Sequence, residues 1–587
     1  MDGPRPWDLT QVFADGPVAV GEAERLASAA EGVAETAGAR LAAGDVAGLT
    51  ADLAAIEEAV EEVADYARMR QYADAAGPGV QETVAAIQSA VVRARGALQR
   101  ALDAWRALPD DLAEAALAHP DLAPGAYRLA RVRALARHRL GADVEVAWEA
   151  RTESAREHWA SLQELVEAKV RVRFDDGTGE RDWGLGDLGT VLRRSDRALR
   201  DQAYAALARG YGEIAELIAL AWDASVADRL AEDRLRGRAH PVQATLDDED
   251  LPLEGFLDLV EAVPVRYGTR QRLLAHQARL LGLEDFRVSD ADAPPDGLPE
   301  LSYGDVVRLA LDGLASLSPE LEPLAAQLFA LDRVDGETRP GKQQYAVTFA
   351  TRLDPPAFVG FRYTGLAANV PLLGHELGHA VALACSVKTQ PAMSRGWPGV
   401  AFEVPSLLGE IAAGDAFATA YPSVASAVRL VAAQDLGWSV FESIAFCLVE
   451  LDLPEARSNG VILTADVIVA SFARRFGALY GSHVPFDERD ALVAMGSWAN
   501  YAIPSRFYNF QYAVGALTAL ALMDARQSDP ERFAAELVRF LGRGRSASPA
   551  EQLRPFGIEL GTRACWDAGL AELDRRFALV GDSMGDR

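Results

Sequence analysis

Residues 375–379 read HELGH, which sets His375, Glu376 and His379 in an H-E-x-x-H pattern. On a helix, residues four apart lie one turn above each other on the same face. Two imidazoles so placed can grip one Zn²⁺, and the intervening Glu then stands beside the metal's open position. The chain has only 8 His, so the pattern would be a rare accident. Its flanks suit the chemistry. Upstream, AFVGFRYTG (357–365) reads as a strand. Asn369 then reads as a helix N-cap with Pro371 in the tolerated first turn, and LLGHELGHAVALAC continues with good helix formers. The pattern is therefore expected mid-helix, where two His at this spacing can share an ion.

A zinc ion held by two His needs a third protein ligand if one position is to stay open for water. Glu403, in AFEVPSLLGE, lies 24 residues after His379 (403 − 379 = 24). That leaves room for the first helix to end, a loop to cross and a second helix to present a carboxylate. Spacing alone also allows a surface carboxylate. Glu410 follows seven residues later, two helical turns on and nearly on the same face, placed to accept the outer N–H of a zinc-bound His.

The elements that must position these groups read as mostly helical. Residues 17–170 repeat apolar side chains three and four apart, as in EAERLASAAEGVAETAGARLAAG, and predict packed antiparallel helices. VRVRFDDGTG (170–179) predicts a hairpin, and DADAPPDGLPELS (290–302) a loop. RPGKQQYAVTFATRLDPPAFVGFRYTG has the alternating β-branched and aromatic residues of a strand region, and leads into the HELGH helix. After residue 400 helices resume to the end. A break is expected near 188, giving an N-terminal helical domain (1–188) and a catalytic domain (189–587).

Composition excludes several classes. At 587 residues, 50% apolar and 25% charged, the chain can bury large cores. A net charge of −28 and the lack of a strong basic block disfavour nucleic acid as a partner. The negative field suits cationic peptides, although acidic balance usually serves solubility. Three dispersed Cys, at 385, 447 and 565, suggest neither a disulfide framework nor a Cys zinc site. MDGPRPWDLTQVF has no signal-peptide pattern, and no uncharged apolar run reaches 18 residues. A cytoplasmic protein without a membrane partner is expected.

Order and spacing of further segments resemble the oligoendopeptidase F group of the thimet-oligopeptidase family of zinc metallopeptidases. PWDLTQVF, LRRSDRALRDQAYAAL, DRLRGRAHPVQATLDDEDLP, RPGKQQYAVTF and AFEVPSLLGE each resemble a segment of that group, across nearly the whole chain. The resemblance implies one Zn²⁺ per chain on His375, His379 and Glu403, with Glu376 as general base. It implies a mainly α, zincin-like fold: a two-part helical ellipsoid with a deep substrate channel and a small β-sheet beside the zinc helix. The edge strand of that sheet, expected within AFVGFRYTG, would pair with an extended substrate. The implied activity is hydrolysis of short unstructured peptides.

One segment departs from the family. Its C-terminal element resembles I-P-H-F-Y-x-N-F-Y-V-Y-Q-Y-A, whose His and Tyr steady the oxyanion. Here YAIPSRFYNFQYA (501–513) is three residues shorter between Ile-Pro and Gln-Tyr-Ala and holds no His. Ser505 or Ala502 takes that position, depending on which end anchors the comparison. Tyr508, Tyr512 and Arg506 are the candidate replacements, with core packing or a salt bridge as their plain alternatives; Tyr345 and Tyr363 are further candidates for substrate contact. Two readings follow: a zinc endopeptidase of short peptides, or a specialised peptide-maturation or tailoring enzyme on the same scaffold with weak generic activity.

Overall fold

Acidic residues start the long helices. Asp15 accepts from the Val18 N–H, Asp45 from Gly48 and Asp196 from Leu199, each supplying an acceptor to an otherwise unpaired first-turn amide. In chain order, the elements used below are α1 (Gly16–Ala42), α2 (Val46–Ala73), α3 (Val80–Arg106), β1 (Val172–Asp175), β2 (Glu180–Trp183) and α4 (Arg197–Leu235). They continue with α5 (Tyr303–Leu317), β3 (Val334–Asp335), β4 (Val347–Ala350), β5 (Ala357–Gly360), α6 (Asn369–Thr389) and α7 (Gly399–Ala420). This computed structural model describes residues 3–582 except 76 and 124. The fold is mainly α with a small sheet, as the periodicity predicts.

The chain forms two compact units, each assembled from separated stretches. Residues up to 137, 299–422 and 525–558 make the first; 138–298, 423–524 and those from 559 on make the second. The units thus do not follow a single break at 188, because side chains of the N-terminal helices bond directly to the strand region. The Tyr72 hydroxyl donates to the Tyr345 carbonyl at 2.7 Å, and the Arg352 guanidinium to Glu62 at 2.7 Å.

In the first unit, α1 and α3 meet along buried small residues, among them Ala19, Ala30, Ala90 and Ala94, which let two helices approach closely. The three-stranded sheet has the order β3-β5-β4, with β3 parallel and β4 antiparallel to β5. Phe349 and Phe358 bring one face of it onto Trp7, at ring separations of 6.0 and 6.1 Å. β4 and β5 also pack against α6. The edge beside the HELGH helix is therefore β4, not the AFVGFRYTG strand. β5 is central and buried at all four positions, whereas β4 is only half-buried. The unbroken apolar run of β5 is the mark of a strand covered on both faces.

α6 is long and apolar enough to cross a membrane by composition, but most of it is buried against α5, α7 and the sheet. In the second unit the expected hairpin forms, pairing Val172 with Trp183 and Asp175 with Glu180. It packs on α4, a helix of 39 residues.

Candidate metal centre

The centre is built where two helices cross with almost no side chain between them. A Cβ added at Gly378, inside HELGH, would lie 2.2 Å from the Pro405 carbonyl oxygen; one at Gly409 would lie 2.3 Å from that of Gly374. Only glycine fits either position, so α6 and α7 touch backbone to backbone. That approach carries Glu403 and Glu410 of α7 to the His face of α6. α6 begins at Asn369 itself, one residue earlier than an Asn369 cap would give. The Asn369 side chain instead turns back, accepting from the Thr364 N–H at 2.8 Å and donating to the Arg362 carbonyl at 3.0 Å. It pins the loop that delivers the helix.

His375 Nε2 and His379 Nε2 lie 3.6 and 3.9 Å from the same Glu403 oxygen. These separations exceed hydrogen-bond length, yet all three donor atoms lie within 4.8 Å of one another. An ion with bonds of about 2.0–2.2 Å holds its ligands roughly 3.3–3.6 Å apart, so the set fits a small cation with slight contraction. It is the one such His/Cys/Asp/Glu group among the described residues.

Glu410 stands behind His375, with its carboxylate 2.9 Å from Nδ1. A carboxylate only accepts, so Nδ1 carries a proton, and Nε2 is the nitrogen left to face an ion once its own proton is lost. Ser406 Oγ lies 3.1 Å from the Glu403 carboxylate, and Phe402 packs its ring 4.2 Å from that of His379. Glu376 is buried, 5% exposed, and accepts from the Thr348 hydroxyl of β4 at 2.7 Å.

The electrostatics also ask for a cation. Glu376, Glu403 and Glu410 face two imidazoles, and no Lys or Arg pairs with them among the described residues. Burial raises Glu403 and takes Glu376 to about 7, against the opposing His375 charge and Thr348 bond. Burial works against charge on His375 too, but the Glu410 hydrogen bond and surrounding carboxylates outweigh it and hold the ring at about 9. Burial, then the His375 charge, pushes His379 well below the usual imidazole range. One proton thus stands where a metal dication would neutralise the carboxylates more fully.

The remaining predicted residues are not members of the donor group. In the first unit, Tyr345 is exposed, with its ring edge on Tyr72, and the Tyr363 hydroxyl is committed to the Leu301 carbonyl at 2.6 Å. The 501–513 segment belongs to the second unit. There Arg506 pairs with Asp233 at 2.6 Å, taking up the guanidinium charge. Tyr508 is 41% exposed and sits in an aromatic row, stacked on Tyr501 and edge-on to Tyr512. Sequence reasoning missed Thr348, Ser406 and Phe402. Ser406 follows Glu403 by three residues, a helical neighbour, and strand alternation puts Thr348 and Ala350 on one face.

The fold and site are those of a helical protein carrying an H-E-x-x-H helix crossed by a Glu helix. No family model matches the chain. An oligoendopeptidase F homologue of Lactococcus lactis subsp. lactis is 23% identical over 401 residues, covering 67% of this chain and 65% of that protein. Oligopeptidase PepF of Bacillus subtilis is 22% identical over 396 residues, covering 66% of this chain and 58% of its own. The match thus spans about two thirds or less of these relatives' length. Among solved structures, oligoendopeptidase-F from Enterococcus faecium aligns with a TM-score of 0.72 at 16% identity, over 99% of this chain and all of that one. A PZ peptidase A bound to an inhibitor aligns at 0.76 and 15% identity, over 99% of both chains. In sequence the chain is similar to oligoendopeptidase F proteins, and in fold to their solved structures.

Proposed function

We propose that this chain is a zinc-dependent endopeptidase of short, unstructured peptides. The observation that carries the reading is the convergence of His375, His379 and Glu403 on one point, with Glu376 beside it and Glu410 fixing His375 from behind. His375 Nε2, His379 Nε2 and a Glu403 oxygen would hold the ion. Bound there, Zn²⁺ would supply Lewis acidity, making a water more acidic and polarising a peptide carbonyl. Glu376 takes the proton from the attacking water and hands it to the leaving amine. Thr348 orients that carboxylate through its hydroxyl, so one Glu376 oxygen is fixed and the other is left for the water. Tyr508 and Tyr512 are the candidate oxyanion donors in place of the absent His. The recessed centre, with Glu376 and His379 both buried, favours an extended chain over a folded surface.

A second reading rests on the 501–513 segment. With no His and with Arg506 committed to Asp233, generic hydrolysis would be slow, as suits a maturation or tailoring enzyme of one specialised peptide. Metal analysis together with cleavage of a mixed peptide library decides between them. Broad turnover of zinc-loaded protein supports the first reading, and turnover of a narrow set the second. A metal-loaded protein that cleaves nothing would sink both.

A further inference from the structure

β4 is the edge strand next to Glu376, and its outer edge is already partly taken. The Ala350 N–H donates to the Asp65 carboxylate at 3.1 Å, and the Arg352 N–H to Glu62 at 2.7 Å; both carboxylates come from α2. Residues of one parity in an antiparallel strand point their backbone groups the same way. Since the Ala350 amide points away from β5, so do the N–H and C=O of Thr348. At the other end α2 holds the chain again. The Gln343 N–H donates to the Tyr72 carbonyl at 2.9 Å, and the Tyr72 hydroxyl to Tyr345 at 2.7 Å. Between these anchors lies Thr348, whose hydroxyl orients Glu376.

We propose that α2 fences the peptide-binding edge of β4, and that Asp65 determines how much of a substrate backbone can pair with it. This rests on the peptidase reading above. The ligand is an extended peptide backbone. Opposite Thr348, one substrate residue can exchange both N–H···O bonds with the strand. Two residues further along the substrate, a carbonyl would seek the Ala350 N–H. The Asp65 carboxylate already accepts that proton, and its oxygen turns another oxygen away. Asp65 is buried, 8% exposed, and its second partner Arg68, at 2.6 Å, keeps it in place. Backbone pairing therefore stops one position beyond Thr348. Peptides extended past it on that side gain no anchor on β4, and short peptides bind as well as long ones.

Two experiments test this. The first measures kcat/KM for a peptide series lengthened by one and two residues on each side of the cleaved bond. In the wild type, extension on the fenced side leaves the long-to-short ratio near one. Asp65→Ala frees the Ala350 amide, and the ratio on that side rises by one net hydrogen bond, about 2- to 12-fold, through KM and not kcat. Asp65→Asn retains an acceptor oxygen and keeps the wild-type ratio. The second needs no change at position 65. In Glu376→Gln protein loaded with zinc, amide hydrogen exchange is followed with and without a long peptide. Peptide should newly protect the Thr348 amide, while Ala350 is protected in both states. An unchanged ratio in Asp65→Ala, or protection of Ala350 that appears only with peptide, would overturn the fence and leave the peptidase intact. A wild type that hydrolyses no peptide would overturn the peptidase reading, and the fence with it.

Discussion

Replacing Glu410 by Ala should weaken metal binding without removing a ligand, by an amount that depends on pH. The structure shows why two terms oppose. Glu410 lies 2.9 Å from His375 Nδ1, and both side chains are largely shielded, at 13% and 17% exposed. It fixes the ring orientation and the tautomer that offers Nε2. Loss of such a partner costs about 10- to 100-fold in metal affinity, or about 1.4–2.7 kcal/mol. The same contact helps hold metal-free His375 at about 9, and the ion must displace that proton. At pH 7, below that value, this competition opposes metal binding in the wild type. Without Glu410 the ring gives up its proton more readily, which offsets part of the loss at pH 7. The full 10- to 100-fold loss should appear at pH 9, with a smaller one at pH 7. Competition against a chromophoric chelator, titrated at both pH values, measures it. A variant that binds Zn²⁺ like the wild type at pH 9 would refute the assignment of Glu410 as the His375 partner. A loss equal at both pH values would refute the proton competition.

Glu403→Ala should leave the ion poorly held, whereas Glu376→Gln should retain zinc and lose turnover; metal analysis beside a peptide assay separates the two, and full occupancy in Glu403→Ala would remove Glu403 from the ligand set. Tyr508→Phe and Tyr512→Phe should each lower kcat more than KM with zinc in place, since an oxyanion bond forms only in the transition state; full activity in both would place the donor elsewhere. Buried Glu450 is raised by burial to about 8 from an ordinary 4.5, so its contribution to stability is present in full below about pH 4.5 and is lost as pH rises through 8. Glu450→Gln lacks this titration, so its stability relative to wild type should climb by up to about 1.4 kcal/mol per pH unit between pH 5 and 8 in denaturant titrations; a constant difference would show that Glu450 does not titrate in that window.

The HELGH helix was legible because its pattern is local. H-E-x-x-H needs only one helix, and helix formers on both sides supply it. Glu403 was reachable by spacing only as a candidate, since 24 intervening residues do not say how two helices cross. The crossing is encoded in Gly378 and Gly409, which in sequence look like weak points of good helices. Their meaning exists only when two backbones meet. The edge strand was misplaced for a related reason. AFVGFRYTG has the stronger strand signal, but strength of signal reflects burial, and the buried strand is the central one. The half-polar VTFA, weaker as a pattern, is an edge strand. The two-unit assembly was not legible at all, because each unit joins three stretches that are separated in the chain.

The 501–513 segment shows what a shortened active-site candidate requires. Phe507 sits at φ 51°, a left-handed conformation that costs a bulky residue about 1–3 kcal/mol. Such strain persists only where the surroundings over-determine it, and here they do. Arg229 donates to the carbonyls of Ala502 and Ile503 at 2.7 and 2.8 Å, and Ser225 also donates to Ile503. Glu450 accepts the Phe507 N–H at 2.6 Å, and the Thr245 hydroxyl donates to the Arg506 carbonyl. Every one of these bonds fixes backbone on the approach to Tyr508, and none touches its side chain. A turn held this firmly for packing alone would be expected to bury the residue it delivers. Instead Tyr508 emerges 41% exposed, directly after the strained residue. The investment of five side-chain bonds in presenting an exposed tyrosine is the physical reason to test Tyr508 before any other residue of the segment.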